Sequence, residues 1–313
     1  MPRVVKLFPG NAGSTSLVKL HPEFRPVVKA VRRCDTEALL TAYEQVTAGV
    51  DPTWAVNAVT EIDGIERRLE RIVATGPESL IPQTMLGGRY IVAGWRIRSA
   101  NLAKNVSGAQ FAAFHEHLRK AEGVLSEVTS AEPDNVAAWT LRLTAARGLQ
   151  FGLDEARRRY SMAAKAYPNP LPAQRSLIQQ LCPKWGGTFE QVHQFARDCM
   201  AEAPAGSAAG LLVAEGHIEN MFAEQSSKYL RREEVRRELD EADQRSVGHP
   251  AFAGGYATRA AYSVFAFVWH MIGDSRRATP YFRELGHRAT NYPWTNFPDG
   301  SLYRRARRAA LDG

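Results

Sequence analysis

The sequence predicts an all-α fold, a stack of antiparallel helix pairs that forms an α-solenoid, and three observations support this. From about residue 35 onward, apolar residues recur at spacings of three and four, which is the period of a helix. Sets of residues with one fixed spacing recur along the chain and end in proline, which is typical of helical repeats. The chain is 44% hydrophobic and 23% charged, which excludes disordered and collagen-like classes.

Charge and cysteine content narrow the class of protein further. The chain has 40 Lys and Arg residues and 33 Asp and Glu residues, which gives a net charge of +7. A moderately basic surface of this kind attracts acidic partners but does not identify any particular partner. Three scattered cysteines, Cys34, Cys182 and Cys199, argue against a disulfide framework and for a reducing compartment. With no signal-peptide pattern at the start, we expect a cytoplasmic protein. The longest apolar run, residues 260–272, is too short for a bilayer of about 30 Å and predicts a buried helix rather than a membrane segment.

The first 34 residues differ from the rest of the chain. Two short β-prone runs, residues 4–8 and 16–20, are separated by a Gly10-Asn-Ala-Gly13 segment. Such a pattern predicts a small β-hairpin or an irregular N-terminal arm. We therefore expect an arm over residues 1–34 and a helical-repeat domain over residues 35–313.

The helical region begins with recognisable start and stop signals. Asp35 is a predicted N-cap of a helix that runs to Gly49, and Asp51-Pro52 predicts the start of the next helix. Gly87-Gly88 predicts a break, after which a helix resumes from residue 89 to 104. Between these points, Ile62, Ile65, Leu69 and Ile72 recur at spacings of three and four, which predicts one buried stripe on a helix. The neighbouring Arg67, Arg68 and Arg71 predict a solvent-exposed face beside this stripe.

Internal repetition is the most informative signal. Three sets of residues follow the same steps of four, three and five: Ala121, Leu125, Val128 and Pro133; Ala156, Tyr160, Ala163 and Pro168; Val192, Ala196, Cys199 and Pro204. A fourth set without the proline comprises Ala278, Phe282 and Leu285. A small residue lets two helices approach closely, a larger one fills the gap, and proline ends the second helix of each pair.

This pattern resembles the tetratricopeptide repeat, most closely between Trp139 and Pro168. The resemblance covers about residues 110–204 and a degenerate unit near 260–289, where Thr290 stands in place of the proline. A Pro183-Lys-Trp-Gly-Gly187 turn, followed by Phe195-Ala-Arg197 and His217-Ile-Glu219, also resembles uncharacterised actinobacterial helical-repeat proteins. These resemblances imply a right-handed stack whose inner helices line a concave groove, and no particular chemistry.

No strong catalytic or metal-binding motif is present. The chain has no P-loop, no GxGxxG on a strand, no GxSxG and no HExxH. His115 and His117 are two residues apart, so on a helix they point roughly 200° apart and cannot share a metal. Glu215 and His217 are also two apart, whereas the Glu-x-x-His pair of a metal bundle needs three. We therefore expect neither a metal nor a cofactor, and the sequence leaves open whether the protein is an enzyme.

Eight polar and aromatic residues on successive predicted elements form the candidate ligand face: Trp139, Arg142, Lys184, Trp185, His193, Arg197, His217 and Glu219. His193 and Arg197 are four residues apart and, with Lys184, predict a positive pocket beside the free amides of a helix that starts near Thr188. The alternative interpretation is structural. Trp185 would then fill a turn between repeats, and Arg197 would bridge to an acidic neighbour.

Three functions remain open at this point. The leading hypothesis is a non-enzymatic scaffold that binds a peptide or protein partner in its groove. The alternative is an enzyme, or a small-molecule or anion-binding protein, whose helices enclose a pocket containing His193, Arg197, His217 and Glu219. A nucleic-acid or phosphate binder that uses Arg304-Arg-Ala-Arg-Arg308 is disfavoured, because a net charge of +7 is diffuse over 313 residues.

Overall fold

The prediction of an all-α fold is confirmed. A computed structural model describes residues 16–76, 78–98, 106–297 and 301–312, and within these ranges it contains α-helices, short 3-10 helices and turns but no β-strand. The described chain divides into two compact units, residues 16–180 and residues 181–313. The assembly of the helix pairs into one right-handed stack stays a prediction.

The first unit contains α1 to α9 and all but the last residue of α10. The bounds are α1 Leu17–Leu20, α2 Arg25–Arg33, α3 Thr36–Thr47, α4 Thr53–Thr60, α5 Glu66–Ala74, α6 Ile81–Arg98, α7 Gly108–Ala131, α8 Val136–Leu149, α9 Gly152–Ala166 and α10 Leu171–Leu181. The predicted N-cap is confirmed, because the Asp35 side chain accepts a hydrogen bond from the backbone N–H of Ala38 at 3.0 Å.

The second unit contains six α-helices among its described residues. Their bounds are α11 Phe189–Glu202, α12 Gly210–Glu224, α13 Glu233–Arg245, α14 Thr258–Ile272, α15 Ser275–Leu285 and α16 Leu302–Asp312. The predicted buried helix is α14, where Phe265, Phe267 and Trp269 are inaccessible to solvent. Among the described residues, no helix has both the length and the hydrophobicity that crossing a membrane requires.

The predicted N-terminal hairpin is wrong for its second run. Residues 17–20 form the helical turn α1, while the first run, residues 4–8, lies outside the described residues. The helix α2 follows and packs against α3, α4 and α5 with Phe24, Val27 and Val31 fully buried. A run of five residues is too short for periodicity to distinguish a strand from one helical turn, which explains the error.

The predicted break at Gly87-Gly88 is also wrong, because α6 continues through both glycines. A Cβ atom added at Gly87 would lie 2.5 Å from the Leu125 side chain, and one at Gly88 would lie 2.7 Å from Thr60 and 3.0 Å from Leu141. The glycines therefore let α6 approach α7, α4 and α8 closely. The packing gained there offsets the low helix propensity of glycine, about 1 kcal/mol per residue.

The repeated residue sets lie on the buried faces of α7, α9, α11 and α15. All of their non-proline members are buried except the half-buried Tyr160. Pro133, Pro168 and Pro204 each stand two residues beyond the end of α7, α9 and α11. The predicted link between a small-residue face and a proline stop is thus confirmed for these three helices. The stretch 205–260, which carries no repeat signal, contains a further packed pair, α12 and α13.

Candidate functional site

The predicted ligand residues fall into two groups, one in each unit. Trp139 and Arg142 lie on α8 in the first unit, and the other six lie in the second unit. In the second unit, some of them form a hydrogen-bonded cluster that we call the His–Tyr network: His193, Arg197, His217, Asn220, Tyr229 and Glu238. In the first unit, the residues around Arg142 border a surface cavity that we call the Phe151 pocket: His115, Arg119, Glu122, Leu149 and Phe151.

Close packing of α11 on α12 brings the two histidines of the network together. The ring centroids of His193 and His217 are 4.4 Å apart with an interplanar angle of 30°. Gly216 permits this approach, because a Cβ atom there would lie 3.1 Å from Val192. The Tyr229 hydroxyl, on the 3-10 helix after α12, lies 2.8 Å from His217 Nδ1 and 3.3 Å from His193 Nε2. Both imidazoles therefore share one phenol.

Glu238 of α13 closes the other end of the network. Its Oε2 lies 3.3 Å from His217 Nε2 and accepts a hydrogen bond from Arg197 Nη1 at 3.2 Å. The hydrogen bond with His217 and the charge of Arg197 outweigh burial and lower the pKa of Glu238 to about 2. The interpretation of Arg197 as a bridge to an acidic neighbour is confirmed. Glu238 of α13 thus pairs with residues of both α11 and α12.

His193 is the member of the network with the most perturbed imidazole. Burial, followed by the neighbouring His217, lowers the pKa of His193 from 6.5 to about 4. Its Nδ1 atom is buried and has no hydrogen-bond partner among the described residues. Asn220 Nδ2 donates to the Tyr229 hydroxyl at 3.0 Å and lies 3.3 Å from His193 Nε2. His193 is therefore held neutral at physiological pH.

Acidification is expected to destabilise the chain in two steps. The pKa of His193 is about 4 in the folded chain, below its ordinary 6.5, so its contribution is present above pH 6.5 and is lost as the pH falls toward 4. The pKa of Glu238 is about 2, below its ordinary 4.5, so its contribution is lost between pH 4.5 and pH 2. Melting temperatures measured from neutral to acid pH should show both declines. His193→Gln should flatten the first and Glu238→Gln the second, and variants with the wild-type profile would contradict this assignment.

The remaining predicted residues of the second unit form a separate cluster. Lys184 Nζ donates to Glu219 Oε2 at 2.8 Å, and the Tyr292 hydroxyl donates to Glu219 Oε1 at 3.3 Å. The N-terminus of α11 is capped by its own residues, because Thr188 and Gln191 exchange hydrogen bonds in a capping box. The residues of the predicted positive pocket therefore belong to two separate sets of contacts: His193 and Arg197 to the His–Tyr network, and Lys184 to its pair with Glu219. Trp185 is half-buried in the 3-10 helix Pro183–Trp185, and a ligand-binding role for this group stays a prediction.

In the first unit, the partly buried carboxylate of Glu122 binds Arg142 and its neighbour Arg159. Glu122 accepts hydrogen bonds from Arg142 Nε at 3.1 Å and Nη2 at 2.6 Å. It also accepts two from Arg159, at 2.8 and 2.7 Å. The Arg142 guanidinium lies 5.0 Å from the ring centroid of Trp139, whose Nε1 donates to the Pro133 carbonyl at 2.8 Å. Both carboxylate oxygens of Glu122 are therefore occupied by arginine.

The Phe151 pocket lies on the surface beside this ion cluster. It has a volume of about 450 Å³ and is formed by α7, the last residue of α8 and the turn before α9. Phe151 is the one large apolar side chain classed as exposed in the described part of the chain, with 45% of its surface accessible. The Arg159 guanidinium lies 5.1 Å from its ring centroid, a cation–π distance. The pocket therefore has an apolar side, formed by Leu149 and Phe151, and a polar side, formed by His115, Arg119 and Glu122.

Sequence reasoning missed Phe151, Leu149 and Arg119. One signal was available: Phe151 is a large aromatic residue next to Gly152, in the turn between α8 and α9, where a polar residue is usual. Arg119 gave no signal, because an arginine on a helix is ordinarily a solvated residue. Arg142, which the sequence analysis did single out, donates a hydrogen bond to Glu122 of the pocket, and its ligand-binding role stays a prediction.

The chemistry of the His–Tyr network and of the Phe151 pocket is indicated neither by a metal-binding cluster in the described residues nor by a match to a known protein. Within the described ranges, no group of three or more His, Cys, Asp or Glu residues is arranged to hold a metal ion. A search against protein-family models returned no match, and neither did comparisons with curated proteins and with solved structures. Function is therefore inferred from the residues of the chain itself.

Proposed function

We propose that this protein is a helical-repeat scaffold, similar to tetratricopeptide proteins, that binds a peptide or protein segment at the Phe151 pocket. The observation that carries the proposal is the exposed Phe151 ring on the wall of a cavity of about 450 Å³. Exposed apolar surface that lines a recess is typical of an interaction site. Aromatic anchors that contact a recess also supply much of the binding energy in protein interfaces.

The helical framework supports the same function. The repeated buried faces of α7 and α9 and their proline stops are the features on which the resemblance to helical repeats depends. In the proposed stack, α7, α8 and α9 form neighbouring helix pairs, and a bound segment follows the groove that contains the pocket. A partner of this kind requires no reacting group from the protein, so the scaffold is proposed to be non-enzymatic.

The alternative of an enzyme or anion-binding protein built on the His–Tyr network has weaker support. Arg197 is paired with Glu238, and His217 contacts both Tyr229 and Glu238. Lys184 and Glu219 neutralise each other. Since these polar groups already have partners within the second unit, few of them are available to bind a substrate or to transfer a proton.

Peptide display tests the proposed function. The full-length protein is immobilised, a random peptide library is selected on it, and recovered peptides are titrated against wild-type protein and Phe151→Ala in solution. We expect selected peptides to bind Phe151→Ala at least about tenfold more weakly, since loss of an aromatic anchor costs about 1.4 kcal/mol or more. Phe252→Ala, which removes a half-buried phenylalanine of the second unit, is the matched control and should bind as wild type does.

Two results would contradict the proposal. One is a selection that enriches no peptide above the bare support. The other is a set of enriched peptides that bind Phe151→Ala and wild-type protein equally well, which would place the peptide site elsewhere.

A further inference from the structure

We infer that the Phe151 pocket is specific for an acidic segment of its partner, one in which side-chain carboxylates flank a large apolar residue. This inference rests on the proposed function and names the chemistry of the partner. Three features of the pocket carry it: the occupied carboxylate of Glu122, the unpaired guanidinium of Arg119, and the exposed ring of Phe151.

The only carboxylate among the lining residues of the pocket cannot accept a cation from a ligand. Glu122 already receives four hydrogen bonds from Arg142 and Arg159, so its negative charge is compensated twice. Arg159 also bonds to Glu155, which it shares with Arg158, and these hydrogen bonds lower the pKa of Glu155 to about 2. Three guanidinium groups, those of Arg142, Arg158 and Arg159, therefore pair with only two carboxylates, Glu122 and Glu155.

Arg119 is the exposed cation of the pocket, and among the described residues its side chain forms no ion pair and no hydrogen bond. The charge of Glu116, three residues earlier on α7, also acts on Arg119, but the Glu116 carboxylate is paired with Lys120 at 2.8 Å. The spacing of Arg119, three residues from Glu122 and four from His115, places all three on one face of the helix. A guanidinium in this position can bind a carboxylate through two parallel hydrogen bonds.

His115 adds a second polar group beside Arg119. Its ring is held against Phe114, with centroids 5.3 Å apart, and near Phe111, at 6.2 Å. The ring is half-buried and lines the pocket, so an imidazole N–H is available as a donor to an anionic group. The polar side of the pocket thus offers donors to a ligand.

The apolar side selects a large hydrophobic residue. Leu149 and Phe151 line the cavity, and the ring of Phe151 is approached by the Arg159 guanidinium while 45% of the side chain stays exposed. An apolar side chain of the partner can cover this exposed ring surface. Because the ring and Arg119 line the same cavity, the partner needs its hydrophobic residue and its carboxylates close together in sequence.

Fluorescence anisotropy with synthetic peptides tests the inference on the full-length protein. The probe is a labelled twelve-residue peptide with a central phenylalanine flanked on each side by two glutamates in a glycine–serine background. One comparison peptide replaces the glutamates with lysines, and another replaces the phenylalanine with alanine. We expect the acidic peptide with phenylalanine to bind at least about tenfold more tightly than either, and to weaken as salt rises.

Charge-matched variants separate local recognition from the overall charge of +7. Arg119→Glu and Arg237→Glu each reverse one exposed arginine, the first in the pocket and the second on α13. We expect Arg119→Glu to weaken the acidic peptide at least about tenfold and Arg237→Glu to change its affinity less than about twofold. Circular dichroism and melting temperature should show that both variants fold as wild type does, and Arg119→Gln provides a second, milder variant.

The inference is overturned if the lysine peptide binds as tightly as the glutamate peptide, if both arginine variants weaken binding equally, or if the acidic peptide does not bind. These outcomes are distinct from failure of the proposed function. Neutral peptides recovered by display that depend on Phe151 but not on Arg119 would leave the scaffold standing while removing the acidic partner.

Discussion

Replacing Glu122 with alanine is expected to lower the free energy of unfolding by about 3–5 kcal/mol, because it leaves the buried Arg159 and the partly buried Arg142 guanidinium groups without their shared carboxylate. The Arg159 and Arg142 side chains are only 3% and 13% exposed. Arg159 retains Glu155 and the carbonyl of Arg142, so its loss is partial. Urea unfolding of the full-length protein, followed by circular dichroism at neutral pH, measures the effect.

Two further substitutions on α7 make this result specific. Glu122→Gln keeps a side chain of the same shape with one oxygen acceptor but removes the charge. We therefore expect its free energy of unfolding to lie between those of wild type and Glu122→Ala. Glu116→Ala removes an exposed carboxylate that pairs with Lys120 one turn away, and it should change stability little. A Glu122→Ala variant as stable as Glu116→Ala would show that the ion cluster does not stabilise the first unit.

Replacing Asp243 with alanine is the second change with a large expected effect, a decrease of roughly 2–6 kcal/mol in the free energy of unfolding. Asp243 Oδ2 accepts a hydrogen bond from Trp269 Nε1 at 2.6 Å, and its Oδ1 accepts one from the Tyr281 hydroxyl. Trp269 is fully buried and Tyr281 nearly so. Without Asp243, two buried donors lose their acceptor, and each such loss costs about 1–3 kcal/mol.

A graded series on α13 tests this assignment by thermal and urea unfolding. Asp243→Asn keeps one oxygen acceptor but turns an amide toward the second donor, so about half of the alanine effect is expected. Glu241→Ala removes an exposed carboxylate two residues away and should leave the melting temperature nearly unchanged. Equal stabilities for Asp243→Ala and Glu241→Ala would mean that water or other groups satisfy Trp269 and Tyr281.

The sequence was sufficient to predict the all-α class and several buried helix faces, because burial on a helix repeats at a fixed interval. The spacing of Ala156 and Ala163 alone identifies the buried face of α9, and Pro168 identifies its end. Such signals are local, so they survive without knowledge of the partner helix. The same logic failed at Gly87, where the reason for a glycine is the Leu125 side chain, 38 positions along the chain.

The candidate sites were less predictable because their contacts join distant residues. Lys184 and Glu219 were both singled out, but nothing in their spacing shows that they pair with each other. Glu238 was not singled out, because its partners His217 and Arg197 lie 21 and 41 positions away in the sequence. Phe151 is exposed because of where α8 ends and α9 begins, a property of the tertiary structure rather than of any local pattern.

The glycine contacts of α6 also restrict how the first unit can move. Helices with smooth contacts can slide past one another in shear motions. A slide of α6 by one turn, about 5.4 Å, would bring Gln83 or Ile91 to the place where Gly87 now meets Leu125. Since a Cβ atom alone would collide with Leu125 there, α6 cannot slide by one turn along its axis without displacing α7. Any adaptation of this unit to a bound segment must therefore come from side chains or from other helices.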